Sequence, residues 1–294
     1  MKRSILGVLI VLTCVAVGIA AAPPLTFTFS DVIATKTALE TDSYAVNNAG
    51  AIAGDYIDSA GVQHGMVLKG KKLTSYDYNK CTGGGIAAFG INKAGDSAGW
   101  CFNSSGVPIG FTRSAAGKFA AVNFPKATGG TEATGINDTG DLAGLYIDSA
   151  GVQHGFYKLK AGKYTKVDVK GATSTAGWAI NNAQVVTLEV INSGGLYDSY
   201  TYTVKTKKLK KINVPGAPQS IVHTNNNKGD IVYTIFDSAS GGHGVLFHAG
   251  KYTQFDDPKA SNSTRGDGLN DTLVIDGRYT PSTGGNFGFK ATVK

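Results

Sequence analysis

Residues 136–156 read INDTGDLAGLYIDSAGVQHGF, and residues 46–66 read VNNAGAIAGDYIDSAGVQHGM in the same order. The pattern returns along the chain at an almost constant spacing. Gly54, the glycine of an Ala-Gly pair, has an equivalent residue in every repeat, and successive equivalents are 45, 45, 44, 45 and 44 residues apart. The positions reached in this way are Gly54, Gly99, Gly144, Leu188, Tyr233 and Gly277. Self-similarity at a fixed period of this length is typical of a repeat architecture.

Each repeat divides into four short β runs separated by turn residues. In the first repeat these runs are residues 44–47, 51–57, 64–69 and 73–77, with Asn- and Gly-containing turns between them. Asn and Gly accept the left-handed backbone conformations that tight hairpins require. The chain also holds 40 glycines, which disfavour helix throughout. Four antiparallel strands in a repeat of this length predict an all-β protein built from β-propeller blades.

One asparagine, at the end of the first run, marks every repeat and therefore counts the blades. The six positions are Asn47, Asn92, Asn137, Asn181, Asn226 and Asn270. The sixth repeat stops at Lys294, after its third run. Its missing fourth run, FTFSD at residues 27–31, matches YTKVD at 164–168 and YTQFD at 252–256. We therefore predict that residues 23–294 form one six-bladed β-propeller domain, whose ring is closed by the N-terminal strand through ladder hydrogen bonds.

Residues 1–22 have the organisation of a secretory signal peptide. Lys2 and Arg3 precede an apolar run at residues 5–19, and three alanines follow at 20–22. An N-terminal membrane anchor is the alternative, but the apolar run is short for a spanning helix. The chain is therefore predicted to be a secreted bacterial protein, extracellular or periplasmic, without a membrane span after signal removal.

The charge of the chain indicates which partners to expect, and its cysteine content indicates a disulfide. The net charge of +7 falls by two without Lys2 and Arg3. The remaining lysines fall in turns and solvent-facing strand positions and carry no nucleic-acid-binding signature, so no nucleic-acid partner is expected. A lysine-rich rim that meets an anionic polymer stays open as an alternative. Cys81 and Cys101 remain in the exported chain, and an even count there favours a disulfide.

Several of these motifs resemble those of the bacterial extracellular HAF-repeat proteins. The matching stretches are GIN at residues 135–137, HGF at 154–156 and TQFDDPKA at 253–260. The resemblance extends over all six repeats and is weakest in the fourth and sixth. It implies an exported repeat protein, and it brings no established activity or catalytic residue.

The recurrent histidines and aspartates are interpreted as parts of the frame. His64, His154 and His243 hold one position in three repeats, and Ile109, Asp198 and Phe287 hold it in the others. A metal site requires ligands that converge on one ion, which positions a blade apart do not. Asp58, Asp148 and Asp237 open turns in which a carboxylate accepts amide hydrogen bonds, whereas calcium needs six to eight oxygen ligands. We expect neither a metal nor another cofactor.

The candidate ligand-binding residues lie at a position of the repeat where the residue type differs from one repeat to the next. Three residues before each asparagine stand Tyr44, Phe89, Thr134, Trp178, His223 and Asp267. The next residue is small in every repeat. Such aromatic and polar side chains at one mouth of the central channel suit a sugar or another small polar ligand. The variable loops at residues 129–132 and 263–265 can frame the same mouth. Alternatively, the aromatics pack between blades. Strict alternation of side chains along the strand would place them on the same blade face as the core residues Val46, Ile91 and Ile136.

We therefore predict a monomeric binding module for carbohydrate or a cell-surface polymer, rather than an enzyme. The alternative is a lyase or hydrolase at the channel mouth, with His223 and Asp267 as acid–base groups. A glycosidase needs two carboxyls at a defined separation, and no such pair stands out among Glu40, Glu132 and Glu189. The two functions differ in one observable: an enzyme needs a titratable pair within hydrogen-bonding reach in a pocket.

Overall fold

The computed structural model describes residues 23–125, 127–237 and 241–294, and its regular structure in these segments is β-strand only. The predicted signal peptide at residues 1–22 lies outside the described residues. No helix in the described part of the chain has the length and apolarity needed to cross a membrane.

The strands, numbered β1 to β24 in chain order, form six groups of four that we call units 1 to 6. Unit 1 comprises β2 (Glu40–Val46), β3 (Ala51–Ile57), β4 (Gln63–Lys69) and β5 (Lys72–Tyr76). Unit 2 comprises β6 (Gly84–Ile91), β7 (Ser97–Phe102), β8 (Pro108–Arg113) and β9 (Phe119–Val122). Unit 3 comprises β10 (Gly130–Ile136), β11 (Leu142–Ile147), β12 (Gln153–Lys158) and β13 (Tyr164–Val167).

The second half of the chain repeats the arrangement. Unit 4 comprises β14 (Ser174–Ile180), β15 (Val185–Ile191), β16 (Tyr197–Thr203) and β17 (Lys208–Lys211). Unit 5 comprises β18 (Ser220–Asn225), β19 (Ile231–Phe236), β20 (Gly242–His248) and β21 (Lys251–Phe255). Unit 6 comprises β22 (Ser263–Leu269), β23 (Val274–Thr280), β24 (Phe287–Val293) and, from the N-terminus, β1 (Phe27–Val32).

Within each unit the strands pair antiparallel in sequence order, as the turn residues predict. Units 2, 3 and 4 are separate four-stranded sheets. The other twelve strands form one larger sheet, because single-residue parallel pairs link Thr41 to Phe287 and Gly242 to Ser263. The all-β, four-stranded repeat predicted from the sequence is therefore present.

Strand β1 pairs with β24 over its whole length, from Phe27 opposite Val293 to Val32 opposite Gly288. Its aromatic residues also contact the neighbouring unit. The ring of Phe27 stacks on Phe255 of β21 with centroids 5.1 Å apart. Strand β1 therefore lies on the last strand of the chain and against unit 5.

The hydrophobic core is divided among the contacts between units. One cluster, for example, joins Ala98 and Val122 of unit 2 to Ala133 and Phe156 of unit 3, all of them buried. Another joins Ala143 of unit 3 to residues of unit 4. Each unit thus depends on its neighbours to bury its faces, as in other repeat proteins.

The recurrent asparagine links the units at their inner hairpins. The Asn47 side-chain oxygen accepts hydrogen bonds from the amides of Ala49 and Ala51, at 3.0 and 2.9 Å. Its Nδ2 donates to the carbonyl of Asn92 in unit 2 at 2.8 Å. The same inter-unit bond recurs from Asn137, Asn181, Asn226 and Asn270 to Asn181, Asn226, Asn270 and Asn47 respectively. This side chain therefore shapes its own turn and ties it to the next unit.

The predicted disulfide between Cys81 and Cys101 is confirmed. The two Cα atoms lie 5.5 Å apart, the residues are separated by 20 positions, and Cys101 is completely buried. By loop-closure entropy, a bridge over this separation stabilises the fold by about 3 kcal/mol. It joins the loop before β6 to the second strand of the same unit.

Candidate functional site

The six variable positions all lie at β-bulges in the first strand of their unit. In unit 3, Ala133 pairs with Gly144 and Gly135 pairs with Ala143, so that Thr134 is the extra residue. A register shift occurs at the corresponding place in each of the other units. A bulge bends the strand and re-aims the side chain of its extra residue. The site residues are therefore set apart by backbone geometry as well as by sequence variation.

The bulges correct the assumption of strict alternation along this strand. Alternation would place Tyr44 on the same face as Val46. In the structure Ser43 and Val46 pair with Gly54 and Ile52, which share one face of β3. The phase of the alternation thus changes at Tyr44, and the argument that grouped this side chain with Val46 is wrong.

A cavity of about 130 Å³ lies where the inner strands meet, and all six bulge residues line it. Close approach of these strands explains why the residue after each bulge is small. A Cβ on Gly135 would lie 2.8 Å from the Cα of Ala179 in unit 4. A Cβ on Gly268 would lie 2.7 Å from the Cα of Ala45 in unit 1. The strands therefore leave little room at this level except for the bulge side chains.

Aromatic rings form a continuous series along one side of the cavity. The ring centroids of Tyr44 and Phe89 lie 4.3 Å apart, and those of Phe89 and Trp178 lie 6.3 Å apart. Trp100 stacks parallel to Phe89 at 5.6 Å, and His223 meets Trp178 edge-on at 6.3 Å. Tyr44, Phe89 and Trp178 contact one another between units and also line the cavity, so the two interpretations of the aromatics are compatible.

A series of polar side chains lines the other side of the cavity. The Nδ1 atom of His223 lies 3.5 Å from Asp267 Oδ1, and its Nε2 shares a hydrogen bond of 2.9 Å with Thr234. Arg278 donates to Asp267 through Nε at 3.2 Å and to the Tyr44 hydroxyl at 3.2 Å. The predicted pair of His223 and Asp267 is thus brought together in one cavity.

Burial keeps the imidazole of this pair uncharged. Desolvation lowers the pKa of His223 to about 3, and the nearby Asp267 carboxylate offsets only part of that effect. Desolvation likewise raises the pKa of the Tyr44 hydroxyl well above its usual value. At neutral pH the cavity therefore presents a neutral histidine and a protonated tyrosine.

Two further carboxyl groups lie behind Tyr44. Asp42 and Asp55 are directly opposite each other on β2 and β3, and each has an oxygen that is buried without a hydrogen-bond partner among the described residues. Desolvation, followed by the charge of Asp42, raises the pKa of Asp55 to about 8. Desolvation also raises the pKa of Asp42. A carboxyl pair of this kind is stable because one member stays protonated.

Trp100, Asp55 and Arg278 were not predicted as site residues. Each of them lies in the second strand of its unit, directly after the residue equivalent to Gly54. The residues at that position are Asp55, Trp100, Leu145, Glu189, Thr234 and Arg278. They vary as widely as the bulge residues do. The criterion of variation within a fixed repeat, applied to the second strand as well as to the first, would have found them.

The opposite end of the cavity is lined by the residues that follow the recurrent asparagines. They are Asn48, Lys93, Asp138, Asn182, Asn227 and Asp271. The side-chain oxygen of one accepts the backbone amide of its neighbour, as in the bond of 2.9 Å from Asp138 to Asn182 and that of 2.8 Å from Asn182 to Asn227. These polar groups are used in joining the units, which leaves the bulge end as the stronger candidate site.

The histidines of the repeat have the structural role that the sequence favoured. His64 contacts Asp77 at 3.0 Å through Nδ1 and Asp58 at 3.3 Å through Nε2. His154 and His243 make the same two contacts in units 3 and 5. Each histidine thus ties the turn between the second and third strands to the fourth strand. The turn aspartate also accepts two amides of its own turn, at 2.8 and 2.9 Å in unit 1.

These histidine contacts predict a pH-dependent contribution to stability. Desolvation lowers the pKa of His64, but its bonds to Asp77 and Asp58 outweigh that effect and hold the pKa above its usual value. A raised pKa in the folded state stabilises the fold below the unfolded pKa of about 6.5, and this contribution is lost as the pH rises through the folded pKa. His64→Gln should therefore cost more stability at about pH 5.5 than at about pH 8.

The predicted difference between the two pH values is below about 1 kcal/mol, because Asp77 is largely exposed to solvent. Urea unfolding of wild type and His64→Gln at both pH values measures it. Glutamine retains hydrogen-bonding groups without the charge. A cost that is equal at both pH values, or larger at the higher one, would contradict the assigned role.

Comparison with known proteins identifies the fold. The chain matches no protein-family model and no curated protein. Among solved structures it is similar to TolB from Acinetobacter baumannii, with a TM-score of 0.61, 12% identity and coverage of 83% of this chain. The chain spans 63% of that TolB chain.

Two similar structures of closer size have different functions. An Aleuria aurantia lectin variant in complex with Fucalpha1-6GlcNAc gives a TM-score of 0.53 at 10% identity, covering 88% of this chain and 95% of the lectin. Virginiamycin B lyase from Staphylococcus aureus gives 0.52 at 11% identity, covering 92% and 99%. At such identities the likeness establishes the β-propeller type of fold alone, and it is compatible with a binding module or an enzyme.

Proposed function

We propose that the six units are the blades of a six-bladed propeller closed by β1, and that this protein is a secreted, monomeric binding module for carbohydrate. The pairing of β1 with β24 and the bond from Asn270 to Asn47 support closure. The disulfide supports export, as does the resemblance to HAF-repeat proteins, a family in which we place the chain as part of this proposal.

The observation that carries the binding function is the placement of six variable side chains at six bulges around one cavity. The frame of the repeat is maintained by Asn, Asp, His and Gly residues with clear structural roles. The bulge residues vary instead, and half of them are aromatic. Aromatic faces beside a few oriented polar groups are the usual elements of a sugar-binding site.

Replacement of Trp178 by Ala tests this function. Trp178 is half-buried, lines the cavity and contacts both Phe89 and His223. Loss of its stacking surface should weaken binding of a retained glycan by about thirtyfold or more, because truncating a central aromatic anchor typically costs about 2 kcal/mol or more. A glycan array with the mature protein identifies the glycan, and titration calorimetry measures the affinity of each variant.

The test includes a second variant within the site and a control variant outside it. Tyr44→Ala should also weaken binding, since Tyr44 belongs to the same series of rings. Tyr252→Ala is the matched control, because this aromatic lies 38% exposed on β21 and does not line the cavity. Unchanged array binding by Trp178→Ala and Tyr44→Ala, with folded protein, would rule out this site.

The alternative is a lyase or hydrolase that uses His223 and Asp267. One observation favours it: the two side chains face each other at 3.5 Å in the cavity. Against it, the pKa of His223 is held at about 3, so that the imidazole has no proton to donate at neutral pH and is a weak base. Turnover of a bound glycan that is lost in His223→Ala, with binding retained, would establish the enzyme.

A further inference from the structure

Arg265 lines the cavity, and its side chain has neither a hydrogen bond nor an ion pair with any of the described residues. It was noted in the sequence only as part of a variable loop, and it now lines the cavity from β22. Its Nε atom is buried and makes no hydrogen bond, and the described part of the chain shows no ion pair for it. A buried donor left unpaired costs free energy, which a ligand that accepts its hydrogen bond would recover.

The guanidinium lies beside a second one. Arg265 and Arg278 are directly opposite each other on β22 and β23. Like charges in such a cross-strand pair repel each other. The nearby Asp267 carboxylate is bonded to Arg278, which also packs over the ring of Tyr44 at 4.6 Å. Asp267 therefore pairs with Arg278, and among the described residues no carboxylate forms an ion pair with Arg265.

Among the other carboxyl groups near the cavity, Glu189 interacts electrostatically with Arg265, and the described residues form no ion pair with Arg265. Arg278 is the positive charge that acts on Asp42 and Asp55. Arg265 acts electrostatically on Glu189 and His223. Glu189 accepts the Trp178 indole N–H at 2.9 Å, and its burial raises its pKa. Arg265 and Trp178 both line the cavity, and Arg265 acts electrostatically on the carboxyl group to which the Trp178 indole donates.

We infer that the ligand of this site is an acidic sugar whose carboxylate pairs with Arg265 while a face of the sugar ring lies on Trp178. This inference rests on the proposed carbohydrate-binding function and names its ligand class. A guanidinium fork binds a carboxylate in a bidentate manner, and such a charge-assisted pair is strongest where water is excluded. A single cation without an ion pair at the bulge end of the cavity matches a monoanion such as a hexuronic acid.

The test compares matched ligands that differ only at the acidic group. We would titrate the wild-type protein with the methyl glycosides of glucuronic, galacturonic and mannuronic acid, with their methyl esters, and with the corresponding neutral hexosides. The expected result is that at least one uronide binds about ten- to hundredfold more tightly than its ester and its neutral hexoside. Arg265→Gln should reduce that ratio to about one.

Lys93→Gln is the matched control, because Lys93 lines the opposite end of the same cavity. It should leave the preference for the uronide intact. Equal binding of the neutral and acidic glycosides would overturn the inference and leave the proposed binding function standing. A preference for the uronide that persists in Arg265→Gln would also overturn it. An absence of binding to every glycoside would contradict the inference and the proposed function together.

Discussion

A chain that begins at Ile33 instead of Pro23 should lose on the order of 5 kcal/mol of its free energy of unfolding, which is close to the whole stability of many domains. The missing residues include Val32, which is buried, and Phe27 and Phe29, which pack against Phe255 and Phe289. Their removal also exposes the edge of β24 along six residue pairs. An unpaired edge of this kind is a site of aggregation.

The measurement is thermal and urea unfolding of the two chains, followed by circular dichroism. Phe29→Ala provides a graded form of the same test, which does not depend on the shortened chain accumulating as folded protein. It should lower the free energy of unfolding by about 2 kcal/mol, since the ring is only partly buried. Ile33→Ala is the control, because this side chain is 58% exposed and should change stability by less than about 0.5 kcal/mol. Equal stability of the long and shortened chains would show that β1 is not part of the fold.

Gly135→Ala should destabilise the protein by about 3 kcal/mol, although it adds a single methyl group. The new Cβ would meet the backbone of unit 4 at three atoms: the Ala179 Cα and the Trp178 carbonyl oxygen at 2.8 Å, and the Ile180 nitrogen at 3.1 Å. Backbone atoms inside a paired strand do not yield as a flexible side chain would. The substitution therefore forces the first strands of units 3 and 4 apart and distorts the end of the cavity that the bulge residues line.

Gly194→Ala is a matched control for that substitution. The residue lies in the turn between β15 and β16, where units 1 and 3 carry Ala60 and Ala150. Its added Cβ would meet only the side-chain oxygen of Asn192, at 3.2 Å. Its effect should stay within about 0.5 kcal/mol. Urea unfolding compares the two variants, and similar values for both would mean that the inner strands are not in the close contact seen here.

Local residue patterns were enough to predict most of the strand plan. In unit 1, the predicted runs 51–57, 64–69 and 73–77 differ from the observed strands by at most one residue at either end. The first strand begins four residues earlier than predicted, at Glu40, because Glu40 to Ser43 pair with the second strand without showing a hydrophobic pattern of their own. The turns were predictable because Asn, Asp and Gly form them through their own side chains and backbone.

The site was predictable in part. The variation of one position within a fixed repeat indicated Tyr44, Phe89, Trp178, His223 and Asp267, and all of them line one cavity. Their orientation was not predictable, since a bulge is a property of two paired strands and leaves no mark in one strand alone. The same holds for the environment of His223, whose depressed pKa results from burial by residues of neighbouring units.

The sequence by itself determined the period, the strands, the turns and the disulfide of this protein, because each depends on residues close together in the chain or on a simple count. Tertiary structure alone decided which side chains face the cavity and which charges are compensated there. Arg278 bonds Asp267 of its own unit, and it also donates to the hydroxyl of Tyr44 in unit 1, far away in the chain. Charge balance at such a point is a sum over strands that the chain order separates, and it is set only when those strands are packed together.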